Sequence, residues 1–214
     1  MRENNLWFQT PLAAIEWTGY KRLILKSDKE PAILAGCNYV KKQFAGEIIS
    51  EAPPVENHEK SNGEAERAVG MCAAHARTLR EFAEFHLKCK IPDNHPLLAW
   101  LVDYAGTLIT LFSKGEPKDV LTPFQRLKGK PWRVALPPWG EKVDYKRRSK
   151  DKFEGRWRPG IYLGVRRQTT ERIIGDAEGT WIVQSVRRVP LEDRWDAEFA
   201  MSIIGVPWAS SAHT

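Results

Sequence analysis

Two acidic residues occupy positions where carboxylates commonly do chemistry. Asp28 follows an apolar run at residues 22–26 that is typical of a buried strand, and ligand sites of open α/β sheets gather beyond such strand ends. Glu66 lies on the same predicted helix stripe as Val69, and an unpaired charge buried there would be costly. Together the two carboxylates could hold a hard cation such as Mg²⁺ or Mn²⁺.

Two structural interpretations of the same residues stay open at this point. Asp28 could cap the helix that follows it, since aspartate is a favoured N-cap residue. Glu66 could sit in the first turn of its helix only to favour the helix dipole. The residues alone therefore do not choose between a metal site and ordinary helix chemistry.

The elements that would position these carboxylates can be read from periodicity and stop signals. We predict a helix at residues 11–20 with Pro11 in its first turn and Gly19 as its stop, then a strand at 22–26. A helix at 31–44 and a strand at 47–51 follow. A capping box of Ser61 and Glu64 begins the longest helix, at 61–90, and a largely buried helix spans 97–112.

The character of the chain then changes. Residues 113–131 are rich in Gly, Pro and Lys and are interpreted as a linker. Short predicted strands at 132–136, around 157, at 160–165 and at 181–186 favour a small β-barrel in 132–190, with a cationic loop at 142–152. Residues 191–214 are interpreted as a surface tail, so the predicted domains are 1–112 and 132–190.

Charge is concentrated in the second part of the chain. Residues 113–190 hold 19 Lys and Arg against 9 Asp and Glu, whereas the whole chain has a net charge of +6. Such asymmetry favours a nucleic-acid partner over a small-molecule substrate, because phosphate neutralisation needs many cations on one surface. The candidate contacts are Lys146, Arg147 and Arg148, and a merely solvated basic surface is the alternative.

Two further features concern the compartment. Three widely spaced cysteines argue against a disulfide framework, and the sequence shows neither a leader peptide nor a long apolar run. We therefore expect an intracellular protein that is not secreted and does not span a membrane.

Several motifs, in one order, resemble a known family. Leu-Lys-Ser-Asp28 and Ser-Asn-Gly-Glu-Ala-Glu66-Arg are similar to the second Asp and the Asn-Gly-x-x-Glu-Arg motif of copia-type retrotransposon integrases. The resemblance continues through Leu-Thr-Pro-Phe-Gln-Arg-Leu at 121–127, Phe-Glu-Gly-Arg-Trp-Arg-Pro-Gly-Ile-Tyr-Leu-Gly at 153–164 and Val-Arg-Arg-Val at 186–189. It covers roughly residues 20–195.

The resemblance implies a fold and an activity. It implies an α/β chain made of a truncated RNase-H-like integrase core, lacking its first strands, followed by a small all-β Src-homology-three-like barrel. It also implies metal-dependent DNA strand transfer, in which Asp28 and Glu66 are the second and third catalytic acids and bind Mg²⁺ or Mn²⁺. Asn62 matches the loop before the helix, and Lys60 beside it is a candidate phosphate contact. An integrase would act in the nucleus.

The first catalytic acid of that family has no counterpart. Only Glu3 and Glu16 are acidic before Asp28, and neither falls where the family places its first ligand. We therefore expect this chain to be inactive alone, and either poorly folded or homo-oligomeric, since a shortened sheet leaves apolar helix faces uncovered.

The alternative function is a non-catalytic nucleic-acid-binding module. Five aromatic residues interleaved with cations could stack bases, or could instead fill the core of the barrel: Trp132, Trp139, Tyr145, Trp157 and Tyr162.

Overall fold

The protein is mixed α and β, and its contacts divide it into two compact units at Met71 and Cys72. The computed structural model describes residues 6–27, 30–50, 63–114, 120–147 and 155–208. The predicted domain limits, at 112 and 132, stay predictions. None of the helices in these ranges is both long enough and apolar enough to cross a lipid bilayer.

The first unit contains a parallel strand pair joined by a helix. Helix α1 spans Leu6–Thr18, strand β1 Arg22–Leu25, helix α2 Pro31–Gln43 and strand β2 Glu47–Ser50. Strands β1 and β2 pair in parallel, with Ile24 opposite Ile49, and both isoleucines are exposed. The predicted strand–helix–strand order is confirmed. Two parallel strands need such a crossover connection, because a tight turn can join only antiparallel strands.

Helix α1 begins earlier than predicted. It starts at Leu6, so Pro11 lies inside the helix rather than in its first turn. The predicted stop is confirmed, because Gly19 has a φ of +79°, a conformation that glycine adopts without strain. In α2, Pro31 occupies the first turn, where its missing N–H costs no helix hydrogen bond. Lys41 and Lys42 occupy the last turn, where positive charge favours the helix dipole.

Two long helices follow. Helix α3 spans Gly63–Leu87 and helix α4 spans Pro96–Phe112. His95 caps α4 by accepting a hydrogen bond from the backbone N–H of Leu97 at its Nδ1, while its Nε2 lies 3.1 Å from the carbonyl oxygen of Met201. The predicted burial of α4 is confirmed for the face that contains Trp100, Leu101 and Tyr104.

A capped helix lies inside the segment interpreted as a linker. Helix α5 spans Pro123–Lys128. Thr122 and Gln125 form a reciprocal capping box at its start, with hydrogen bonds of 3.1 and 3.0 Å. Gly129 ends it in the left-handed conformation, with a φ of +69°.

Five antiparallel strands make the sheet of the second unit. They are β3 (Lys142–Lys146), β4 (Trp157–Val165), β5 (Arg172–Asp176), β6 (Gly179–Val183) and β7 (Val186–Arg188), in the spatial order β6-β5-β4-β3-β7. In the described part of the chain β6 and β7 each have one strand neighbour, so the sheet is open. The predicted closed barrel is therefore wrong. Helix α4 packs on β4 and supplies the cover that closure would have given.

Four further expectations for this half need correction. Residues 132–136 join no strand among the described residues, and prolines at 131, 137 and 138, which lack the amide hydrogen that a ladder needs, flank the segment. The predicted cationic loop begins as strand β3, and strand β5 was not predicted. The predicted surface tail contains helix α6 (Ala197–Met201), and Ala200 and Ile203 are buried.

Candidate nucleic-acid interface

The structure describes one of the two predicted catalytic carboxylates, Glu66. Asp28 lies outside the described residues, as do Lys60, Asn62 and Arg148. Glu66 lies near the start of α3 and is exposed, and Val69 on the same stripe is 70% exposed. The predicted burial of Glu66 is therefore wrong. The stripe becomes fully buried only at Ala83, because the apolar period marks a face but not what covers it.

A divalent-metal site at Asp28 and Glu66 stays a prediction. In the described ranges no group of three or more His, Cys, Asp and Glu side chains is arranged to hold a metal ion. Since Asp28 is outside those ranges, this finding does not bear on the predicted Mg²⁺ or Mn²⁺ site.

One end of the five-stranded sheet brings cations and an exposed indole together. Lys146 on β3 is directly opposite Trp157 on β4, and Asp144 on β3 is opposite Arg187 on β7. Residues paired in this way point to the same face, and side chains two positions apart on a strand share that face. We call these four residues, Asp144, Lys146, Trp157 and Arg187, the sheet-end surface.

Arg187 is fixed within the sheet-end surface by two contacts. Its Nε and Nη2 each lie 2.9 Å from Oδ2 of Asp144. Its guanidinium carbon lies 4.5 Å from the centre of the Trp157 ring, within the range of a cation–π contact. Trp157 remains 38% exposed. The surface thus combines an ordered arginine, an accessible indole and the exposed cation Lys146.

Helix α6 covers the other end of the same face. Lys142 lies on the same face of β3 as Lys146, four positions before it. It donates a hydrogen bond of 2.7 Å to Asp196, the N-cap of α6. That hydrogen bond from Lys142 holds the pKa of the Asp196 carboxyl below its usual range. The exposed part of the face therefore ends where α6 begins to pack.

Arg147 belongs to a different group of contacts. Its Nη1 donates a 2.8 Å hydrogen bond to Glu178, and its guanidinium lies 3.9 Å from the centre of the Trp181 ring. Arg158 approaches the same carboxylate at 3.6 Å. The charge of Arg147 is thus partly neutralised within the protein. Its contacts therefore support its predicted role as a phosphate contact less well than the exposed position of Lys146 supports that role for Lys146.

The aromatic residues proposed as base-stacking candidates mostly fill the core. Trp139, Tyr145 and Tyr162 are at most 2% exposed, and Trp132 is half-buried against Phe124. Tyr145 donates a 2.7 Å hydrogen bond to Asp176, and burial raises the pKa of the Tyr145 hydroxyl. Of the five, Trp157 alone has its side chain exposed on the sheet.

An ion pair with a buried carboxylate holds the edge strand that carries Arg187. Glu141, which is fully buried just before β3, accepts two hydrogen bonds from Arg188 at 2.6 and 2.7 Å. Arg194 approaches the same carboxylate at 3.5 Å. A buried carboxylate needs such pairing. The two parallel hydrogen bonds from Arg188 also fix the short strand β7 in register. Sequence reasoning placed Arg187 in a motif but not in the site, although alternation along 186–188 could have indicated which side chains share a face.

An apolar groove elsewhere in the second unit is a poorer candidate for a polyanion. It encloses about 660 Å³ between α3, α4 and residues 132–139, and its lining includes Leu79, Phe82, Leu108 and Phe112. Arg133 is the charged residue in that lining. Phosphates need several cations on one surface, and the described lining of this groove supplies Arg133.

No protein-family model matches the chain, and no curated protein matches it significantly.

Proposed function

We propose that this chain binds nucleic acid, with DNA as the expected partner, through the sheet-end surface and the cations around it. The observation that carries the proposal is the arrangement of Lys146, Trp157 and Arg187 on one open face. Charge supports it: within described residues 142–147 and 155–188, ten Lys and Arg stand against four Asp and Glu. Binding of this kind releases counterions, so it should weaken as salt rises.

The test is the salt dependence of DNA affinity. Fluorescence anisotropy with a labelled DNA should give a linear fall of log K with log salt for the parent chain. The variant Lys146→Gln, Arg147→Gln, Arg148→Gln should lose about 1–2 units of slope, less than three full contacts because Arg147 is already paired with Glu178.

A matched control removes two exposed cations from α2 and one from the turn after α3. Lys41→Gln, Lys42→Gln, Lys88→Gln makes the same change in net charge and should keep the slope of the parent. A salt response that is flat in the parent, or equal losses in both triple variants, would contradict binding at this surface.

A second, more specific proposal concerns the integrase family that the motifs resemble. We propose that residues 1–112 are the remaining part of an RNase-H-like catalytic core and that residues 132–190 correspond to the Src-homology-three-like domain. The parallel pair β1 and β2, joined by α2, supports this order, as does the antiparallel sheet downstream. Asp28 follows the carboxyl end of β1 by three residues, where such a fold places a metal ligand.

Calorimetry with Mn²⁺ tests the integrase proposal separately from DNA binding. The parent should bind Mn²⁺, and Asp28→Asn and Glu66→Gln should each abolish the heat of binding. Glu30→Gln, an exposed carboxylate of the same unit, is the control that should leave the heat unchanged. Absence of Mn²⁺ binding in the parent would refute the metal site. DNA strand transfer by this chain alone is expected to be undetectable, since only two of the family's three acids are matched.

A further inference from the structure

We infer that the sheet-end surface selects single-stranded over double-stranded nucleic acid, by stacking a base on the platform that Trp157 and Arg187 form. The inference rests on the proposed function and adds the form of its ligand. It depends on three properties of the platform: its exposure, its order and the neutralisation of its arginine.

Exposure makes the platform available. Trp157 is 38% exposed, and the side chain of Arg187 that lies over it is 57% exposed. The indole and the guanidinium are both planar, and each can stack on the face of a base. The core aromatics of the sheet cannot do this, since Tyr145 and Tyr162 are fully buried.

Order lowers the cost of binding. The guanidinium of Arg187 is held by Asp144 at 2.9 Å on one side and lies against the Trp157 ring on another. Trp157 itself stands in the ladder opposite Lys146. The platform therefore exists before the ligand arrives, and less side-chain freedom is lost when a base stacks on it.

Neutralisation decides which part of the nucleic acid Arg187 meets. The carboxylate of Asp144 already satisfies the charge of Arg187 and would repel a phosphate placed beside it. A planar base has no net charge and is not repelled. Lys146, directly across the ladder from Trp157, is exposed and suits the phosphate next to the stacked base.

The form of the ligand follows from these contacts. In a duplex the faces of each base are covered by its neighbours, whereas a single strand can turn a base outward onto an aromatic ring. Every base has such a face, so the preference should be for strandedness rather than for sequence.

The experiment compares an oligothymidylate of about 15 nucleotides with a duplex of similar length at one salt concentration. Trp157→Ala should weaken binding of the single strand at least about 5-fold. Duplex affinity should change less than about 2-fold, because the charge of the protein is unchanged. Trp157→Phe should keep most of the single-strand affinity, since phenylalanine also stacks. Phe85→Ala, which removes a 77% exposed aromatic from α3, is the control and should leave both affinities unchanged.

A spectroscopic measurement keeps the test independent of the folding of Trp157→Ala. Oligothymidylate should quench tryptophan emission more in the parent than in Trp157→Phe, because a base stacked on the platform changes the surroundings of the indole that the variant lacks. If the parent binds neither ligand, both the proposed function and this inference fail. If it binds with a steep salt response but Trp157→Ala weakens both ligands equally or neither, or quenching is the same in both proteins, the stacking inference alone is overturned.

Discussion

Gly160 is the position in the sheet where one added methyl group should do the most damage. A Cβ there would lie 3.0 Å from Cδ1 of Tyr145 and would overlap Cγ2 of Ile174. Carbon atoms make favourable contact at about 3.5–4.0 Å, so both neighbours would have to move. Neither has room, because both are fully buried and the hydroxyl of Tyr145 is hydrogen-bonded to Asp176.

The magnitude follows from two opposing effects of Gly160→Ala. Overpacking of a filled core costs about 1–3 kcal/mol, and the immobile neighbours place this site toward the upper end. Loss of glycine freedom in the unfolded chain returns about 0.4–1 kcal/mol. We expect a net decrease of about 1–2.5 kcal/mol in the free energy of unfolding. The assay is urea unfolding followed by near-ultraviolet circular dichroism.

Two glycines with open surroundings provide matched controls. A Cβ at Gly155 or at Gly106 would meet nothing within 4 Å. Gly155→Ala should raise stability by about 0.4–1 kcal/mol through the unfolded chain alone. Gly106→Ala, inside helix α4, should raise it by about 0.5–1 kcal/mol. If Gly160→Ala proved as stable as Gly155→Ala, the packing of Tyr145 and Ile174 across β4 would be refuted.

Three further predictions concern charge and capping. The hydrogen bond from Lys90 to buried Glu84, with others from Arg80 and Ile91, lowers the pKa of Glu84 from 4.5 to about 2. This stabilisation is present above pH 4.5 and is lost as the pH falls toward 2. Between pH 6 and 3, urea unfolding should show the parent losing about 1 kcal/mol more free energy of unfolding than Glu84→Gln. Parallel pH profiles of the two proteins would contradict this prediction. Asp144→Asn should free the charge of Arg187 for a phosphate and steepen the salt slope of single-strand binding by up to about 0.7, and an unchanged slope would argue against that pairing. Thr122→Ala removes the capping box of α5 and should lower the free energy of unfolding by about 1 kcal/mol, measured against the exposed substitution Thr169→Ala.

Local signals in the sequence were enough for most helices and for the parallel pair. Pro31 and Pro96 mark first turns, Gly19 marks a stop, and apolar periodicity identifies α3 and α4, because each of these effects acts within a few residues. Alternation in Lys-Val-Asp-Tyr-Lys at 142–146 is also a strand signal for β3, although its positive charge favours the loop prediction, which is wrong for these residues.

Other features depended on partners far away in the chain. The helix stripe that contains Val69 has the right period, yet Val69 is exposed whereas Ala83 is buried, because burial is set by what packs there. Likewise the open sheet is covered by α4, which packs on β4, a contact between elements about 50 residues apart that no local pattern encodes.

The sequence by itself determined a basic, mixed α and β chain, with its positive charge in the second part and a candidate carboxylate pair in the first. Only the tertiary structure decided which of the aromatic and basic residues meet at the sheet-end surface. Trp157 and Arg187 are 30 positions apart, and Asp144 and Arg187 are 43 apart. Strand pairing brings them together, because ladder register is fixed by the burial of Val143 and Tyr145 on the opposite face of the same strand.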